Sequence, residues 1–305
     1  MAIHILSNGI DIMSTEAEII ESVDWAELWK KALLAASWRK REKDPISFFD
    51  KKAKWYNQTV MKRTENVQKN LARLDIDGAC SVLDVGSGPG TLAIPLAKKV
   101  GKITAVDPSA DMLHYLEENA RKEGITNITC INKKWEDVEI GKDIDVHDIV
   151  IASHSLAMVD LKTALLKMNQ AASRRIYIFD FAGKPKQEQV TLWPKLYGES
   201  FVPSPNYIFA VNILYQMGIT ANVEIREQQY RQEIPSLDDA VRERVQYYDS
   251  AVPGAEKIIR EYLAKELAKE LAKENGALWT TRSTKNAMVW WDKTPGDQEN
   301  APQNS

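Results

Sequence analysis

Val82-Leu83-Asp84-Val85-Gly86-Ser87-Gly88-Pro89-Gly90-Thr91-Leu92-Ala93, followed by Ile103-Thr104-Ala105-Val106-Asp107, decides the fold. The order reads as a buried strand, a turn of alternating glycines, a helix, and a second strand ending in an acid. Gly86, Gly88 and Gly90 lack a Cβ, so the backbone there can take positive φ and let a ligand approach closely. The helix that starts next offers unpaired N–H groups at its N-terminus. Asp107, about twenty residues after the turn, falls at the carboxyl end of the neighbouring strand, where a carboxylate can accept hydrogen bonds from ribose hydroxyls. The pattern predicts a nucleoside site.

Spacing decides which nucleoside. The dinucleotide rule G-x-G-x-x-G/A needs glycine or alanine where this chain has Thr91. Asp84, two residues before the first glycine, would repel a pyrophosphate but suits an ammonium or sulfonium. Asp84-Val85-Gly86-Ser87-Gly88-Pro89-Gly90 resembles the D/E-x-G-x-G-x-G signature of class I S-adenosylmethionine-dependent methyltransferases, and the likeness extends roughly over residues 48 to 182. It implies S-adenosylmethionine as cofactor, with Gly86, Ser87, Gly88 and the rest of the turn to Gly90 against the methionine part. Asp84 would then lie near the cofactor's ammonium and Asp107 on its ribose. Pro108 would join the site, and Met112 would pack on adenine or else serve as a core residue of an amphipathic helix.

One register departs from the family. After the third strand, an acid often contacts the adenine amino group, but here that register gives Lys134, which has no acceptor, and Trp135. The adenine contact is therefore expected from the Trp135 backbone N–H, or from Glu136 or Asp137. Alternatively Trp135 plugs the sheet edge. The fourth strand ends Ile151-Ala152-Ser153-His154-Ser155-Leu156, at the end of an open α/β sheet where ligands lie. Ser153 is expected in the cofactor site, and His154 either as a general base or as a hydrogen-bonded wall. The Asn/Asp-Pro-Pro-aromatic run common in amino-methylating members is missing, which lowers the expectation of an adenine, cytosine or glutamine-amide acceptor. Trp55, Tyr56, Trp193, Tyr197 and Tyr207 are candidates for an enclosed aromatic substrate pocket.

With 305 residues and a net charge of −3, the chain has no overall attraction to nucleic acid, so such a partner is unexpected. The one basic cluster, Arg39-Lys40-Arg41 with Lys43, reads as a solvated helix end. Cys80 and Cys130 fall on non-adjacent strands, which argues against a bridge and for a reducing, cytoplasmic setting. No window approaches the ~20 apolar residues of a membrane span. The four histidines are scattered, so no metal is expected.

The expected fold is α/β: a Rossmann-like, seven-stranded, mostly parallel sheet with helices on both faces and an N-terminal helical lid. Helices are expected over 15 to 39 and 45 to 74, the latter with Lys51, Lys52 and Lys54 pointing to solvent. Strands are expected near 80 to 85, 102 to 107, 127 to 131, 147 to 153 and 175 to 181, then over 221 to 230 and 286 to 291. By segment this gives a lid over 1–74, a cofactor domain over 75–235, a helical insertion over 236–276, a final strand within 277–293, and a disordered tail over 294–305. The Leu-Ala-Lys-Glu repeat from Leu263 to Glu274 reads as a surface helix. Three functional readings follow: methyl transfer to a small molecule, transfer to a protein side chain or less readily RNA, and cofactor binding without turnover.

Overall fold

The computed structural model describes residues 22–42, 44–61, 64–234, 236–248, 252–270, 272–274 and 277–293. Eight strands form the sheet: β1 (Ser81–Val85), β2 (Lys102–Val106), β3 (Ile128–Ile131), β4 (His147–Ser153), β5 (Ala172–Phe181), β6 (Asn222–Ile234), β7 (Ala272–Glu274) and β8 (Ala277–Asp292). Seven of them lie in the order β3-β2-β1-β4-β5-β8-β6, with the short β7 on β8. β1 to β5 are parallel, and β8 enters antiparallel between β5 and β6. Segments 75–235 and 277–293 thus build one sheet. The strand order reverses at β1 and β4, which opens a crevice at their carboxyl ends.

Side-chain alternation along the strands feeds two cores. Leu83, Val85, Val150, Ala152, Ile176, Ile178 and Val289 meet α1 (Trp25–Ala35), α7 (Leu161–Ala171) and α9 (Tyr207–Gln216) on one face. Val82, Ile103, Ile149, Ile151, Tyr177 and Phe179 meet α4 (Thr64–Leu71), α5 (Ala93–Ala97) and α6 (Ala110–Lys122) on the other. Both faces being covered, the strands carry near-continuous apolar runs. α1 is anchored by Trp29, which is 1% exposed and whose indole N–H donates to the Met158 carbonyl at 2.8 Å.

The helices before the sheet divide more finely than expected. The chain takes extended torsions at Ala36, so α2 (Ser37–Arg41) is separate from α1 rather than one helix to residue 39; residues 15–21 of that expected helix lie outside the described residues. α3 (Pro45–Val60) starts where Asp44 caps it and Pro45 suits the first turn, and α4 follows separately instead of continuing one helix to 74. A third cluster joins α8 (Gln187–Tyr197), α10 (Leu237–Tyr248) and α11 (Ala255–Glu270) through Leu192, Trp193, Val241, Tyr248, Ile259 and Leu263.

Among the described residues the Leu-Ala-Lys-Glu repeat is helical to Glu270, and Ala272–Glu274 pairs antiparallel with Ala277–Trp279 instead of continuing the helix. The residues favour helix, but β8 begins at Ala277, nine positions ahead of expectation, and supplies a strand to pair with. The same length draws β6 on to Ile234. The tail 294–305 and residues 1–21 lie outside the described residues. Among the described residues no helix is long and apolar enough to cross a membrane, and no group of His, Cys, Asp and Glu could hold a metal ion.

Candidate active site

The glycine turn follows β1 directly. Gly86, Gly88 and Gly90 have φ of +74°, +54° and +91°. The Gly86 and Ser87 N–H groups donate to the Val106 carbonyl at 2.8 and 3.2 Å, which ties the turn to the end of β2. Gly88 N–H donates to Asp107 Oδ2 at 2.8 Å, and Ser109 N–H donates to Asp107 Oδ1 at 2.9 Å. A Cβ on Gly86 would stand 2.3 Å from Ser155 Cβ, whereas one on Gly88 would meet nothing within 4 Å. Gly86 is therefore required by packing, and Gly88 opens onto free space.

Beneath the turn, Asp84 is 2% exposed and its Oδ2 has no hydrogen-bond partner; the buried Ser87 Oγ has none either. Burial, helped by the nearby Asp107 charge, pushes the Asp84 carboxyl up to about 7. Burial also pushes Asp107 up to about 6, opposed by the N–H groups of Ser109 and Gly88 and reinforced by Asp50. Unpartnered buried acceptors are costly. The arrangement fits a ligand that brings a cation and hydrogen-bond donors.

Around this floor, Pro108 is half-buried and Met112 is 3% exposed on α6, its N–H accepted by the Ser109 hydroxyl. The Trp135 ring is buried and its indole N–H donates to the Ala164 carbonyl at 3.1 Å, so that side chain belongs to the core. Glu136 and Asp137 are exposed in the same short 3-10 turn. Lys167 clamps that turn by donating to the carbonyls of Trp135, Glu136 and Val138 at 2.8 to 3.0 Å.

At the carboxyl ends of β4 and β5, His154 has φ of +54° and its N–H donates to the Phe179 carbonyl at 2.8 Å. Its ring stands edge-on to the exposed Phe181 at 4.5 Å, with Ser153 Oγ 3.2 Å from Nδ1 and Asn286 Oδ1 3.4 Å from Nε2. Asp180, which follows Phe179 on β5 and pairs with Ala287 of β8, is pushed up to about 7 by burial.

The five aromatic candidates divide. Trp55 and Tyr56 meet edge-on at 5.2 Å, and Trp55 meets Tyr247 at 5.4 Å. Trp193 and Tyr197 meet at a tilt at 4.3 Å, and Tyr197 OH donates to the Tyr248 carbonyl at 2.9 Å. Tyr247 and Tyr248 thus join both pairs. Tyr207 packs instead against the core of the α1 and α9 face. Arg41 lies 3.9 Å from the centroid of the Tyr197 ring, so the basic cluster is more than a solvated helix end. Lys52, expected in solvent, donates to the Gln246 and Tyr247 carbonyls, while Lys51 and Lys54 are exposed. Sequence reasoning missed Asp50, Ser155, Tyr247, Tyr248 and Asn286. Of these only the adjacent tyrosines at 247 and 248 carry a signal in the sequence.

A family model described as "Methyltransferase domain" matches residues 82–174. An uncharacterized protein of Haemophilus influenzae is 30% identical over 208 residues, covering 68% of this chain and 75% of its own length. The chain belongs to the class I S-adenosylmethionine-dependent methyltransferases. The ribosomal protein L11 methyltransferase of Campylobacter fetus is 26% identical to this methyltransferase over 174 residues, 53% of this chain and 60% of that one. Matches named as ribosomal RNA methyltransferases align with less than a quarter of this methyltransferase, and beside them the expectation that nucleic acid is no partner is not supported. A crystal structure of a Bacillus halodurans protein, 13% identical with a TM-score of 0.51, shares the fold over 75% of this chain and 99% of its own.

Proposed function

We propose that this methyltransferase moves the methyl group to an O, N, S or C nucleophile of a small molecule held between the strand ends and the helical cap. The observation that carries the reading is the aromatic wall of Trp55, Tyr247 and Tyr248, which joins α3 to α10. Bound S-adenosylmethionine supplies an electrophilic methyl on a sulfonium. Asp84, buried and unpartnered, takes the cofactor's ammonium, and its ionisation becomes favourable once that cation arrives. Asp107, oriented by Gly88 and Ser109, keeps lone pairs for ribose hydroxyls. Gly86, Ser87 and Gly88 line the methionine part, Gly90, Pro108 and Ser153 complete the cofactor site, Met112 packs on adenine, and the Trp135 backbone N–H, or Glu136 or Asp137, reads its edge. His154 takes the acceptor's proton. The cap excludes water, which favours a displacement that annihilates charge.

α3 is the movable part of that cap in this reading. It is hydrogen-bonded to the cofactor side through Asp50 to Ser109 and Asn57 to Asn119, and to α10 through Lys52. Cys80 and Cys130 are free, which fits a reducing, cytoplasmic setting. The likeness to ribosomal protein L11 methyltransferase favours a second reading, in which the acceptor is a protein side chain. Incubation with methyl-labelled cofactor and a size-fractionated cell extract tests both. Label in the small-molecule fraction is expected; label confined to protein or RNA overturns the first reading.

A further inference from the structure

The imidazole of His154 is held at both nitrogens by residues from different strands. Ser153 Oγ lies 3.2 Å from Nδ1, and Asn286 Oδ1, from β8, lies 3.4 Å from Nε2. An amide oxygen has no hydrogen to give, so in the neutral ring the Nε2 position carries the proton and Nδ1 accepts from the Ser153 hydroxyl. At its other end Asn286 Nδ2 lies 3.4 Å from Thr284 Oγ1, a hydroxyl that can accept from it. His154 is also the one non-glycine residue with positive φ among the described residues. A strained conformation of that kind persists where the surroundings impose it, and here the Phe179 carbonyl and the Phe181 ring do so.

We propose that Asn286 is a positioning residue that fixes His154 as the Nε2–H tautomer, so that Nδ1, paired with the Ser153 hydroxyl, is the atom that takes the acceptor's proton. This rests on the reading of His154 as the base. The proton leaving the acceptor passes to Ser153 Oγ as that hydroxyl's own proton passes to Nδ1. Ser153 ends unchanged and His154 ends as an imidazolium still hydrogen-bonded to Asn286. β8 reaches this point because it inserts beside β5, placing Asn286 opposite Phe181. The role therefore belongs to the antiparallel strand and not to the parallel half of the sheet.

Nitrogen NMR on histidine-labelled protein reads the tautomer without an acceptor, with His154→Gln identifying the resonances. The charged residues nearest in register are Asp180 on β5, Lys285 on β8 and Arg226 on β6, and all remain in every variant. The parent is expected to show Nε2 protonated and Nδ1 bare. Asn286→Leu should give a mixture of tautomers, while Asn286→Asp should keep Nε2–H and move the titration midpoint upward, because a carboxylate favours the imidazolium. A parent with Nδ1 protonated, or an Asn286→Leu variant with an unchanged tautomer, overturns the proposal. The labelled-extract assay on the same proteins separates the two readings. Label in the small-molecule fraction with the wrong tautomer refutes only the role of Asn286, and the right tautomer with no such label refutes only the acceptor class.

Discussion

The floor of the site and its helical cap differ in how far apart in the chain their partners lie. On the floor, Gly88 meets Asp107 across 19 residues and Ser109 meets Asp107 across two. In the cap, Lys52 meets Gln246 and Tyr247 across 194 and 195 residues. A floor of contiguous residues can be set by backbone rules: a glycine where φ must be positive, an acid at a strand end, a serine that caps a helix. A cap assembled at long range is set by which side chains happen to meet. On the proposed reading, cofactor geometry and acceptor choice are then encoded separately, and each should be alterable without the other.

The largest expected effect is on the floor. Asp107→Ala removes the anchor of the Gly88 N–H and, in the proposed reading, a charge-assisted ribose contact; a hydrogen bond to a charged group contributes ~1.5 to 3 kcal/mol. Calorimetry should show S-adenosylmethionine binding weakened by about 10- to 150-fold. Cap variants, by the same argument, should leave that affinity within about a factor of two. An unchanged Kd in Asp107→Ala would break the comparison at its firmest point.

Asp84 sharpens the comparison by pH. Its folded pKa of about 7 stands above the ordinary carboxylate value of 3.8, so between those values the folded state holds a proton that the unfolded state has lost. The cofactor-free protein therefore loses stability as pH rises through this window, and Asp107, pushed up to about 6, adds to the loss. Asp84→Asn should remove a penalty on the order of 4 kcal/mol above about pH 7 and change little near pH 4. Thermal melting at both pH values checks the stability, and calorimetry should show weaker cofactor binding. A variant that melts no higher than the parent at the upper pH would mean that the buried carboxylate is not destabilising.

What the sequence made legible follows the same division. The five parallel strands, the glycine turn and the placing of Asp84 and Asp107 were readable because apolar runs and glycine spacing are local signals. The ends of β8 and β7 were not, because Thr280 to Lys285 is a polar stretch whose strand character comes from pairing with β6. Trp135 shows the limit within the floor, since nothing in its neighbours says that the ring reaches the Ala164 carbonyl. Lys52 shows it in the cap. Its position between the apolar residues of α3 predicts solvent, and only the fold brings the end of α10 to it.

Within the cap, the Trp55 and Tyr247 rings meet at 5.4 Å, a geometry that contributes ~0.5 to 1.5 kcal/mol beyond burial. A double-mutant cycle over Trp55→Ala and Tyr247→Ala should return a coupling of that size in urea unfolding. Additive effects would show that α3 and α10 are neighbours without energetic contact, and the wall would then be a poor basis for acceptor choice.

The smallest effect concerns whether α3 moves. Lys52 reaches two carbonyls near the C-terminus of α10, where a cation offsets the helix dipole and satisfies acceptors that have no partner within the helix. Such an interaction contributes ~0.3 to 1 kcal/mol, less than the hydrogen bonds that hold α3 to Ser109 and Asn119. If α3 opens, it should therefore part first from α10 while staying attached on the cofactor side. Lys52→Met should raise amide exchange across residues 45 to 60 in the cofactor-free protein, and S-adenosylhomocysteine should lower it again by stabilising the floor beneath. Exchange over 45 to 60 that is the same with and without this ligand, in parent and variant alike, would make α3 a fixed packing layer. The acceptor would then have to enter past Phe181 and His154 at the strand ends.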